Sequence, residues 1–166
     1  MLESERDRIL GEWLTSHKGI LFKVVRAYAS EPADRQDLFQ EIVVQMWRSV
    51  DAFRGDSSVP TWIYRIALNT VIAWNRKEKK HQCGKQPLEM VDGLLAVTGS
   101  LDPRVEWLYR QISQLKDTDR SVALLLLDGF SYKEIAAIVG ITETNVGVKI
   151  NRIKAMLIDR HAKENT

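Results

Sequence analysis

The sequence predicts an all-α protein: two small helical domains joined by a flexible linker, the C-terminal one built around a helix-turn-helix. Three observations predict it. No segment alternates apolar and polar residues as a half-buried strand must, whereas apolar residues recur at three- and four-residue spacing through two long blocks. Between His81 and Leu101 that periodicity fails, in a stretch with three glycines and a proline, HQCGKQPLEMVDGLLAVTGSL. The domains are therefore placed at residues 1–82 and 102–166, with 83–101 as the linker.

Ile9, Trp13, Ile20, Leu21, Val24 and Tyr28 follow helical spacing in two stretches, with an interruption expected near Gly19. A second helix should begin near Pro32 and Asp34, because proline is tolerated and acids are favoured in a first turn. Leu38, Phe39, Ile42, Val43, Met46 and Trp47 face the core on it, while Asp37, Gln40, Glu41, Gln45 and Arg48 form a mixed-charge outer strip. Phe53-Arg54-Gly55-Asp56-Ser57-Ser58 is a turn sequence, and a third helix opens at Pro60 and runs to about Lys80. One face of that helix carries Ile63, Ala67, Val71 and Trp74, and another carries Trp62, Arg65, Asn69 and Arg76. Aromatic, cationic and amide groups together suit single-stranded DNA, since bases stack on the ring and phosphates pair with guanidinium. The alternative is Trp62 packed in the core with polar neighbours outside it.

Within the linker, Met90, Val91, Leu94 and Leu95 are apolar and could dock. Beyond it, Asp102 before Pro103 caps a helix with Val105, Leu108, Ile112 and Leu115 inward. Asp117 or Thr118 caps the next, which contains the run Val122 to Leu127 and ends at Gly129. Ser131 with Glu134 three residues on is a capping box, so a helix starts there, carries Ile135, Ile138 and Val139 inward and ends at Gly140. Thr142 caps a last helix whose Val146, Ile150, Ile153 and Leu157 form one stripe. Two helices across so short a turn are a helix-turn-helix, which places its second helix in the major groove. The outward residues there are Thr144, Gly147, Val148 and Asn151, flanked by Lys149, Arg152 and Lys154. Asn151 can pair with an adenine edge, Val148 can pack on a thymine methyl, and the cations can take phosphates or guanine.

Bulk composition narrows the function classes. The 166 residues are 45% hydrophobic, enough for real cores, and no run approaches the roughly 20 apolar residues of a membrane span. The N-terminus MLESERDRILGEW carries acids where a signal peptide needs a basic and then an apolar stretch, so a cytoplasmic protein without membrane insertion is expected. Cys83 is the only cysteine and His17, His81 and His161 are scattered, which leaves no disulfide and no expected metal site. A formal net charge of +2 is too small to announce nucleic acid, but its distribution is uneven. Residues 31–56 hold six acids against three arginines, whereas 75–85 hold Arg76, Lys77, Lys79, Lys80 and Lys85 against Glu78. Two different partners are implied.

Three segments in this order resemble the sigma-70 family of bacterial initiation factors in its smallest form, the extracytoplasmic-function group. DRQDLFQEIVVQMWRSVDAFRG looks like the stretch that binds the polymerase clamp helices, DSSVPTWIYRIALNTVIAWNRKEKK like the strand-opening segment, and LKDTDRSVALLLLDGFSYKEIAAIVGITETNVGVKINRIKAML like the promoter-reading domain. The resemblance covers almost the whole chain, and no separate middle domain fits between residues 81 and 101. It implies that Asp37, Gln40, Glu41, Trp47 and Arg48 hold core RNA polymerase. It implies that Gly55, Asp56, Ser57 and Ser58, with Trp62, Arg65 and Asn69, take a flipped base of the minus-ten element and the opened non-template strand. Arg76, Lys77, Lys79 and Lys80 would hold phosphates of the upstream duplex. Asn145, Gly147, Val148, Lys149, Asn151 and Arg152 would read the minus-thirty-five element. The family often has a basic residue and a serine where this chain has Gly147 and Val148. An inhibitory anti-sigma factor is a further implied partner, with the apolar linker and the clamp-binding face as places for it.

The chain so read is not an enzyme and uses no cofactor or small-molecule substrate: no glycine-rich phosphate loop, nucleophile elbow or ligand cluster occurs in it. Two rivals remain at this point. A dimeric repressor or activator would explain residues 130–157 but leave the Trp62, Arg65, Asn69 face without a task. A helical protein-interaction module would leave both basic segments merely solvated.

Overall fold

The computed structural model describes residues 2–78 and 102–166, and the chain divides into two compact units, Met1–Leu101 and Asp102–Thr166. All regular structure among the described residues is helical. The linker expected at 83–101, with Cys83 and the apolar Met90, Val91, Leu94 and Leu95, lies outside them, as do Lys79 and Lys80. No helix among the described residues is long and apolar enough to cross a membrane.

The N-terminal unit packs α1 (Glu3–Tyr28), α2 (Pro32–Ser49) and α3 (Val59–Glu78) against one another in all three pairings. A single 3-10 turn, Val50–Ala52, follows α2. Leu21, Val24, Leu38, Phe39, Ile42, Met46, Ile63, Tyr64 and Val71 are fully enclosed between the three helices. The interruption expected near Gly19 falls at His17 (φ −126°, ψ 18°). Just before it, the Thr15 hydroxyl donates to the Gly11 carbonyl at 2.8 Å, a back-bond of the kind that bends helices. Leu10 and Leu14 are the buried residues of the first half, at 2% and 3% exposure, and Ile9 and Trp13 are only half-buried at its edge. Arg35 Nε donates to the Ala29 carbonyl at 2.8 Å and closes the short connection between α1 and α2.

The C-terminal unit consists of α4 (Pro103–Ser113), α5 (Asp117–Leu127), α6 (Tyr132–Val139) and α7 (Glu143–Glu164). Asp102 caps α4, accepting from the Arg104 amide at 2.8 Å. The Arg104 guanidinium, 2.8 Å from the other carboxylate oxygen, holds the Asp102 carboxyl below the usual carboxylate range. Helix α5 differs from expectation: its N-cap is Lys116, with no side-chain cap. Asp117 and Asp119 lie inside the first turn instead, where negative charge favours the helix dipole without closing a cap. Gly129 (φ +86°) ends α5 in a Schellman motif, the Phe130 amide donating to the Leu125 carbonyl and the Gly129 amide to that of Leu126. The capping box at α6 forms in full: Glu134 N donates to Ser131 Oγ at 3.1 Å, and Ser131 N donates to Glu134 Oε2 at 2.8 Å. Gly140 (φ +82°) turns the chain, and Thr142 Oγ1 accepts from Asn145 N at 3.1 Å to start α7.

Ile135, Val146 and Ile150 are fully buried between these helices, which rigidly sets the angle of α7 against α6. The far end of α7 returns to α4, where Arg160 Nη1 donates to the buried Gln111 at 2.8 Å and Trp107 donates to Glu164. Because the capping box satisfies two otherwise orphaned amides, Ser131→Ala should lower the stability of this unit by about 1 kcal/mol. Chemical denaturation of the full chain followed by circular dichroism measures it, and an unchanged midpoint would show the cap to be dispensable.

Candidate nucleic-acid interface

The outer strip of α2 is narrower than its periodicity suggests. Asp37 and Glu41 are half-buried and Arg48 is exposed, with Gln45 Nε2 donating to Glu41 Oε1 at 3.1 Å. Gln40, expected on this strip, is only 5% exposed, and its amide nitrogen has no partner among the described residues. The cause is geometric: α2 packs on both α1 and α3, so it buries a wider arc than a helix with one neighbour. An unmatched buried amide costs stability, so Gln40→Met should raise the stability of the N-terminal unit by about 1 kcal/mol. Because the side chain is covered, the contact with core RNA polymerase that the sequence resemblance implies should not depend on it: a direct binding assay should give the same affinity for the variant, and a tenfold loss would put Gln40 in a contact surface.

Trp47 is also engaged. Its indole nitrogen donates to Asp7 Oδ1 at 2.9 Å, and the Arg6 guanidinium lies over the ring, 5.1 Å from its centre. Arg6 in turn pairs with Asp51. Sequence reasoning missed all three of these partners. Asp7 lies 40 residues from Trp47 along the chain and Arg6 lies 45 from Asp51, so no local pattern marks these contacts.

On α3 the expected face separates into two parts. Gly55 (φ +78°), Asp56 and Ser58 are exposed and Ser57 is half-buried. Ser58 serves as a cap, its Oγ accepting from the Thr61 amide at 3.3 Å. Arg65 and Asn69 are exposed, and Ala73, Arg76 and Lys77 continue the strip toward the end of the helix. Trp62 does not stand open beside them. Its ring meets Trp13 at 5.1 Å and Phe53 at 5.6 Å, both edge-on, and those two rings meet each other at 5.0 Å. The packed alternative therefore holds for most of this ring, and the part left open is the margin of the polar strip.

In the helix-turn-helix, Thr144, Asn145, Val148, Asn151, Arg152 and Lys154 are exposed on α7. Lys149 is not among them: its ammonium pairs with Asp119 at 2.8 Å, with the two side chains only 17% and 27% exposed. Position 149 lies three residues after Val146 and four before Ile153, on the same stripe as those buried residues, so its side chain leaves along the flank of the core. Gly147 is half-buried, and a Cβ there would lie 3.7 Å from the ring of Tyr132. What the unit presents outward is thus a row of amide, hydroxyl, apolar and cationic groups on one rigid helix, the set that major-groove base edges and phosphates accept.

A profile of Sigma-70 region 2 matches residues 13–81, and one of Sigma-70, region 4 matches residues 105–157. The chain is 32% identical over 130 residues to RNA polymerase sigma factor YlaC of Bacillus subtilis (strain 168), covering 74% of each chain. It is 31% identical over 134 residues to the ECF RNA polymerase sigma-E factor of Escherichia coli (strain K12), covering 73% of this chain and 70% of that one. Its fold is similar to that of sigma factor RpoE from Bartonella quintana, solved in complex with the anti-sigma factor NepR, with a TM-score of 0.68 and 20% identity over 92% of this chain and 96% of that one.

Proposed function

The chain belongs to the sigma-70 family of RNA polymerase sigma factors, in the extracytoplasmic-function group, and on that premise we propose that it binds core RNA polymerase, directs it to specific promoters and helps open the DNA for initiation. Sigma factors are regulatory initiation factors, and in this reading the polymerase supplies the phosphoryl chemistry. The N-terminal unit serves polymerase binding, through Asp37, Glu41, Arg48 and the edge of Trp47, and holds the melted minus-ten strand. The C-terminal unit reads the minus-thirty-five duplex.

The observation that carries the reading is the presence of two separate outward polar rows on two units. On α3, Arg65, Asn69, Arg76 and Lys77 are exposed in one strip, and on α7, Asn145, Val148, Asn151 and Arg152 are exposed on a capped helix. A single duplex-binding regulator needs only the second row. Opening DNA needs the first as well, because a flipped base has to be held and its strand neutralised. Lys79 and Lys80 extend the basic run of α3 in sequence, toward phosphates of the upstream duplex. The solved relative carries an anti-sigma factor, and this chain takes an inhibitory partner of the same class, working in the cytoplasm where the polymerase is.

Run-off transcription with purified core polymerase on a pool of candidate promoters, with and without this protein, tests the proposal. Transcripts with defined starts only in its presence are expected. If no starts appear and a direct assay shows no binding to core polymerase, the reading fails.

A further inference from the structure

Gly147 sits in the middle of the outward stripe of α7, three residues after Thr144 and four before Asn151. A side chain at this position would face the groove, yet the chain has none there. The space is closed from α6: Tyr132, the first residue of that helix, places its Cε2 3.7 Å and its Cδ2 4.0 Å from where a Cβ on Gly147 would be. An alanine at 147 would meet the ring in ordinary contact, so Tyr132 already lines the place where a side chain at 147 would begin. Tyr132 nonetheless remains 41% exposed, and the neighbouring Val148 is 49% exposed.

We propose that Tyr132 is a specificity-determining residue of the promoter-reading unit: its ring takes the place of the missing side chain at 147 and, with Val148, reads thymine methyl groups in the minus-thirty-five element. The proposal rests on the reading of α7 as the recognition helix. The chemistry follows from the groups present. Thr144, Asn145, Asn151 and Arg152 can exchange hydrogen bonds with base edges, but a phenol ring edge and a valine offer chiefly apolar surface. On a major-groove base edge the thymine methyl is the one apolar group, so it is what such a surface selects. The glycine is part of the device, because it lets a residue of the preceding helix enter the recognition stripe. The capping box holds Tyr132 there, fixing the backbone on both sides of it through Ser131 and Glu134.

The test uses the full chain bound to core polymerase. A duplex is first selected from a library randomised across the upstream element, and each thymine in it is then replaced singly by deoxyuridine, which removes only the methyl. Wild type should lose roughly fourfold in affinity at each of two positions, the value of one buried methyl. Tyr132→Ala should lose the dependence at one of them and keep it at the other, and Val148→Ala should do the reverse. Tyr132→Phe should retain both dependences, since the ring and not the hydroxyl makes the contact. Unchanged thymine dependence in Tyr132→Ala, or its loss in Tyr132→Phe, would overturn the inference while leaving α7 as the recognition helix. Failure of wild type to select any duplex would overturn the reading beneath it.

Discussion

Replacing Arg65 and Asn69 together with alanine should leave the N-terminal unit folded and bound to core polymerase yet remove open complexes from the promoter. Both side chains are exposed, and neither makes a contact on which the core depends, so the stability change should stay within about 0.5 kcal/mol. Two lost polar contacts to the melted strand, one of them from a guanidinium, amount to about 2 to 4 kcal/mol. That is on the order of a 30- to 1000-fold fall in the open population. Permanganate reactivity of thymines around the start site reads it directly, and persistence of that reactivity in the double variant would remove Arg65 and Asn69 from the strand-holding surface. Trp62→Ala behaves differently. The ring packs against Trp13 and Phe53, so its loss should cost the unit about 3 kcal/mol, and open complexes should decline together with folding. Comparing the two variants separates strand contact from support of the surface that makes it.

The capping box at Ser131, the Thr142 cap, the Asp102 cap and the glycines at 129 and 140 were all legible because each rests on contacts spanning five residues or fewer. Such contacts are encoded where they occur. What was not legible depends on neighbours brought by packing. Gln40 reads as outward until both flanking helices are in place, and Trp62 stays open between a stacking ring and a packed one until Trp13 and Phe53 close on it. Trp47 is fixed by Arg6 and Asp7 at the other end of the unit. Lys149 is a mixed case. It reads as a cation flanking the outward row although its spacing from Val146 and Ile153 puts it on their stripe, and its partner Asp119, 30 residues away, is supplied only by the fold. Asp117, read as a cap, shows the converse failure, since an acid near a helix start satisfies the dipole as well as a cap and composition alone does not separate the two roles.

That distinction gives the second large effect. Arg152→Ala should weaken binding to the minus-thirty-five duplex by about 1 to 3 kcal/mol if the guanidinium takes a base edge bidentately, with no change in folding because the side chain is exposed. Lys149→Ala should do the opposite. It removes the Asp119 pair, leaves a partly buried carboxylate without its cation, and so lowers the stability of the C-terminal unit by about 1 kcal/mol. Duplex binding should change little once the protein is folded. A double-mutant cycle over Lys149 and Asp119, measured by denaturation, should return a coupling of about 0.5 to 1 kcal/mol, and additive effects would mean that the ion pair contributes nothing. Salt titration then separates base from phosphate contact at Arg152. Loss confined to the preferred sequence marks a base contact, whereas equal loss on every sequence, with the slope of log affinity against log salt reduced by about one, marks a phosphate contact. Should Lys149→Ala instead weaken duplex binding as much as Arg152→Ala while stability holds, the ion pair with Asp119 would have to open in the bound state, and Lys149 would rejoin the recognition surface.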